Sequence, residues 1–202
     1  MILARAKQRA VVALAGALFM LVGCSAEAYV DYEPQWQATG TKPDVSLSAA
    51  LMRQGDGLAI RYTLLNQGEA PVVAYVGVPG DAASHSYDVF VTAREDKIVE
   101  IAKRTFAIPP GTNADAVGTI EGIVIPGGEQ FTEEFRVPWP LKGNRPYVSE
   151  VKLPDPVTTA VFCIGVLLQS EAPAPKPADR GRGAYPLNGP QHLFCSDPAN
   201  VQ

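Results

Sequence analysis

Residues 44–66 read DVSLSAALMRQGDGLAIRYTLLN. Val45, Leu47, Ala49 and Leu51 alternate with Ser46, Ser48 and Ala50. After the turn Gln54-Gly55-Asp56-Gly57, Leu58, Ile60, Tyr62 and Leu64 alternate with Ala59, Arg61 and Thr63. A strand turns successive side chains to opposite faces. Period two on both sides of a glycine-rich turn therefore predicts a β-hairpin with one buried face.

The same grammar continues downstream. Asn66-Gln67-Gly68-Glu69 is a turn, and Pro71 to Val78 reads as a buried strand. Residues 86–93 and 97–102 form a second hairpin across Arg94-Glu95-Asp96. A loop opens at Pro109-Pro110-Gly111 and runs to Gly118. Residues 119–125 and 129–137 are two strands around Pro126-Gly127-Gly128. In the second, Phe131, Glu133, Phe135 and Val137 share one face, so Glu133 interrupts an apolar row; Glu134 and Arg136 lie on the other.

Val137-Pro138-Trp139-Pro140-Leu141 cannot be a central strand, because proline donates no ladder hydrogen bond. It predicts a connection between two sheets, with Trp139 plugging the core. Thr158 to Leu168 is apolar on both faces, which marks a central strand. Residues 170–190, rich in proline and glycine, predict one long loop, followed by a short last strand over Gln191–Cys195. The whole predicts one all-β domain over residues 44–198, a single immunoglobulin-like antiparallel β-sandwich of about eight or nine strands. The stretch GDGLAIRYTLLNQGEAPV resembles the opening of bacterial immunoglobulin-like modules, and also the intracellular proteinase inhibitor family of bacilli.

The first residues have a different character. Arg5, Lys7 and Arg9 precede an apolar run from Ala10 to Val22, too short to span a bilayer and suited to a signal peptide. The run ends in Leu21-Val22-Gly23-Cys24, which resembles the lipobox of bacterial lipoproteins. That resemblance implies cleavage after residue 23 and a diacylglyceryl group, with further acylation, on Cys24. Two or three chains make a stable membrane anchor where one does not. Ser25 after the cysteine implies sorting to the outer membrane, facing the periplasm. Residues 24–43 then form a tether, with Tyr29, Tyr32 and Trp36 suited to interfaces.

Without residues 1–23, which hold three of the 17 basic and none of the 21 acidic residues, the chain carries a charge of −7. That balance argues against nucleic acid and against electrostatic adhesion to anionic lipid. With Cys24 lipidated, Cys163 and Cys195 remain, and in an oxidising compartment they predict one disulfide. The competing metal reading uses His192 and Cys195 with Cys163. On a strand, residues three apart face opposite ways, so no metal is expected. His85, in Ser84-His85-Ser86 near Asp81 and Asp88, reads as a polar turn rather than part of a catalytic triad. No phosphate-binding glycine loop and no cofactor motif are present.

These readings lead to a membrane-anchored envelope protein, held by lipid on Cys24. Its sandwich serves binding or assembly with an envelope protein partner, not catalysis. The expected contact surfaces are loops 109–118 and 170–190, with Arg180, Arg182 and Tyr185 as contact residues. The disulfide would then let residues 172–188 be deleted without unfolding. The alternatives are an envelope protease inhibitor using loop 170–190, and a periplasmic protein binding a metal or small ligand.

Overall fold

The computed structural model describes residues 40–77, 89–94, 96–109, 111–112, 117–178 and 181–202. The expectations placed on the signal segment, Cys24, the tether aromatics, Ser84-His85-Ser86 and Arg180 lie outside these residues.

The opening hairpin forms as its alternation predicts. Strands β1 (Val45–Gln54) and β2 (Gly57–Asn66) pair without interruption from Val45↔Asn66 to Gln54↔Gly57. Of the two turn residues only Gly55 has a positive φ, 58°, a backbone position that favours glycine. Leu51, Leu58, Ile60, Tyr62 and Leu64 turn inward and are buried, while Ser46, Ser48 and Ala50 are exposed. Strand β7 (Gln130–Pro138) pairs antiparallel with the other side of β2, completing a three-stranded sheet β1-β2-β7.

The second sheet has nine strands: β3 (Val72–Gly77), β4 (Phe90–Ala93), β5 (Val99–Lys103), β6 (Thr119–Ile125), β8 (Thr159–Leu168), β9 (Lys176–Pro177), β10 (Gly183–Pro186), β11 (His192–Cys195) and β12 (Ala199–Asn200). Its hub is β8, which pairs with β5, β3, β11 and β12. This is why its sequence is apolar on both faces: residues 160–167 are all buried. One pair departs from the antiparallel expectation, since β5 runs parallel to β8 from Val99↔Ala160 to Lys103↔Ile164. Parallel neighbours need a long connection. Here that connection includes β6 and β7. Among the described residues the strand total exceeds eight or nine because β9 and β12, of two residues each, carry no sequence period, and β10 lies in the segment read as a loop.

The sheets pack as a sandwich. Leu58, Ile60, Tyr62 and Leu64 from the first meet Val72, Ala74, Ile101, Phe162 and Ile164 from the second, each buried side chain contributing roughly 1.5–3 kcal/mol. Asn66 binds two crossings between the sheets. Its buried amide donates to the carbonyls of Ala70, Ile125 and Pro126 at 2.9–3.1 Å, and its Oδ1 accepts from Gly68 N–H at 3.1 Å. The fold also reaches past the expected 44–198: Pro43 and Val201 are buried, and β12 pairs with β8.

Segment 170–190 is not one free loop. It contains β9 and β10, and β10 pairs with β6. Tyr185 is 3 % exposed and belongs to a second core cluster with Tyr75, Phe106, Ile120, Leu167 and Leu187. Gly183 lies opposite Gly122, and a Cβ at either position would come within 3.0 Å of the Tyr185 ring. Gly183, in the segment read as a loop, and Gly122, in a predicted strand, thus clear the space for a buried aromatic. Deletion of 172–188 removes part of a core, and the disulfide cannot replace it. Tyr185→Ala is expected to cost about 3–5 kcal/mol by urea titration, and the deletion to abolish the cooperative thermal transition.

Candidate functional site

Two places in the sandwich concentrate chemistry, one buried and one open. The buried one begins with alternation on β5: Val99, Ile101 and Lys103 point inward, so Lys103 enters the space between the sheets and is 0 % exposed. The same alternation on β7 carries Glu133 inward from the facing sheet. Lys103 Nζ donates to Glu133 Oε2 at 2.6 Å and to the Val76 carbonyl at 2.7 Å. The Tyr62 hydroxyl donates to the same carboxylate oxygen at 2.7 Å. Lys103 also lies 4.4 Å from the centre of the Phe135 ring, and Tyr62 stacks 4.6 Å from Phe162. Burial, and then the Glu133 charge, push the Tyr62 hydroxyl far above its ordinary pKa, so it stays a neutral donor. The arrangement is a cross-sheet clamp whose polar atoms face one another.

On the other face of β5, Arg104 Nη1 pairs with Glu100 Oε1 at 2.9 Å, both nearly buried. The Arg104 and Arg145 guanidinium groups lie 4.3 and 5.1 Å from the Phe106 ring centre. Near Glu100, Cys163 and Cys195 stand directly opposite in register on β8 and β11 and form the expected disulfide. Glu100 and the two sulfurs lie close enough to suggest a metal set. A metal would need thiolates, and both sulfurs are bonded to each other while Glu100 is paired.

The two expected contact residues of 170–190 that the structure describes have internal partners. Arg182 Nη1 pairs with Glu121 at 2.7 Å, and Tyr185 is core. Among the described residues, this segment is held to β6 through β10 and the Arg182–Glu121 pair. Glu134 lies on the exposed face, opposite Arg61 in register. His192 is half-buried, and its Nε2 has no hydrogen-bond partner among the described residues.

The open place is a groove of about 630 Å³ where the connection after β7 passes the far end of β1. Trp139, Leu141, Leu153, Pro154 and Val157 line it. Trp139 packs partly on the core, as a plug should, and offers the rest of its surface to the groove. Arg53, at the end of β1, stacks 4.6 Å from the Trp139 ring centre. No ion-pair partner for Arg53 occurs among the described residues. Sequence reasoning missed Arg53, Lys103 and the Leu153–Val157 wall, although it marked Trp139 and the misplaced Glu133. The chain matches no known protein family, no curated protein and no solved structure.

Breaking a buried pair leaves a lone charge in a poor solvent, so Lys103→Met is expected to destabilise by about 3 kcal/mol. Lys103→Met combined with Glu133→Leu should recover most of that loss in urea titrations. His192 gives a pH dependence. Its pKa is lowered from 6.5 by burial, with Lys42 adding to the shift and Glu171 opposing it. The unfolded chain therefore takes up this proton at a higher pH than the fold does, so stability falls as pH drops below 6.5. Melting temperatures compared between about pH 7 and pH 5 should fall less steeply for His192→Gln than for the parent.

Proposed function

We propose that the chain is a lipid-anchored protein of the bacterial envelope whose β-sandwich is a binding or assembly module. The signal-like residues 1–23 and Cys24 support the anchor. The observation that carries the binding reading is the position of the groove relative to where the tether enters. Residues 40–44 join the fold at one end of β1, where Thr41 N–H donates to Glu171 at 3.3 Å and Lys42 lies over Phe194. Arg53 and Trp139 lie at the other end, about 30 Å away by the rise of a ten-residue strand. A lipid on Cys24 ties the domain to the bilayer through the chain that enters at the first end, which leaves the groove at the other end to a partner carrying an apolar segment.

The charged clusters support the same reading, because Lys103, Glu133, Glu100 and Arg104 are engaged within the fold. Cys24→Ser is expected to move the protein out of the membrane fraction. Arg53→Glu should leave both localisation and the thermal transition intact and lower the partner captured by in-cell crosslinking about tenfold. An unchanged captured set would remove the groove from the proposal.

A further inference from the structure

We propose that β1 is an open sheet edge that pairs antiparallel with β1 of a second copy of this chain. Sheet edges carry unpaired backbone groups, and proteins usually protect them with short strands, charges, proline or a covering segment. The other edges here follow that rule. At β4, Asn144 covers Val91 through a bridge in which each backbone N–H donates to the other's carbonyl, and its side chain donates to the Val89 carbonyl. The opposite end of the large sheet is β9, two exposed residues that are lysine and proline. On β7, Glu133, Glu134 and Arg136 place charges on both faces.

Among the described residues, β1 shows none of these devices between Asp44 and Arg53. It is ten residues long, its register with β2 has no bulge, and between Asp44 and Arg53 it contains no charge and no proline. Met52 is 54 % exposed at its end. Among the described residues, no backbone hydrogen bond covers its outer side.

Register indicates why the occupant is a second copy. Gln54 and Gly57 close a two-residue turn, so they form a hydrogen-bonded pair. Alternation then turns the backbone groups of residues 45, 47, 49, 51 and 53 outward. A two-fold axis beside Ala49 sets Ala49 against itself and Leu47 against Leu51 of the second copy, continuing the inner apolar layer. On the outer face it sets Ser48 against Ala50 and Ser46 against Met52. No like charges meet, and the contact closes on itself, as an isologous pair must. Residues 45–53 of each copy pair in this register, nine per strand, and bury less than the roughly 1,200–2,000 Å² of a stable interface. Pairing is therefore weak in free solution and strengthened by confinement. This deepens the binding-module reading, and rests on it only for the confinement that a lipid provides.

The test uses full-length protein in native membranes. Copies carrying Ser46→Cys are co-expressed with copies carrying Met52→Cys and oxidised. A disulfide-linked dimer is expected, well above that from copies carrying Thr132→Cys on β7. Adding Ser48→Lys and Ala50→Lys, both on the solvent face, should lower its yield about tenfold by placing like charges opposite one another. A yield no higher than the Thr132→Cys control, or β1 cysteines captured by a different protein, overturns the proposal. The same pair is oxidised in Cys24→Ser background at roughly millimolar concentration, where a dimer again supports the edge. A dimer there, with no lipid detectable on the parent chain, would overturn the anchor alone.

Discussion

An ammonium ion taken out of water loses several kcal/mol of solvation, and Lys103 is fully buried. It is tolerable there because β7 delivers Glu133 from the facing sheet while β3 turns the Val76 carbonyl toward it. Apolar surfaces accept many offsets at similar energy, whereas a charge pair with a 2.6 Å contact accepts one. Aromatic rings complete the enclosure. Phe135 faces the ammonium, and Tyr62 reaches the carboxylate with its hydroxyl while its ring fills the core against Phe162. The clamp thereby relates β2, β5 and β7, the strands that hold both ends of the hairpin-to-hub arrangement.

Much of the sandwich was legible in the sequence because strand alternation is a local signal. The hairpin over 45–66 and the strands at 119–125 and 159–168 follow directly from period two or from a continuous apolar run. The disulfide was legible from cysteine number together with the expected compartment, and its strands are neighbours. The errors have a common cause. Proline and glycine read as loop formers over 170–190, but Gly183 is small because Tyr185 lies across it and across Gly122, which is remote in sequence on β6. Tyr185 and Leu187 did keep a two-residue spacing within that segment. The parallel placement of β5 was invisible because nothing in a strand's own residues encodes its neighbour's direction.

The site was half visible. Glu133 stood out as a charge in an apolar row, and its partner bore the same mark, since Lys103 continues the row Val99–Ile101. Read alone, Lys103 is a single charge just past the predicted strand 97–102; two interrupted rows of opposite sign are the available clue. Trp139, expected as a core plug, packs only partly on the core. The groove around it depends on Leu153 to Val157, which lack regular structure and so leave no periodic trace. Arg53 gave no signal because its contact with Trp139 crosses the sequence and forms only when β7 lies beside β2.

The direction of β1 also bears on how the domain would meet mechanical force. The chain enters β1 at Val45, and the groove lies beyond Gln54. A pull between the two ends runs along the strand, while the β1–β2 hydrogen bonds run across it. Ten residue pairs would then resist in shear, sharing the load together. An attachment at the turn would instead peel the same ladder open one pair at a time.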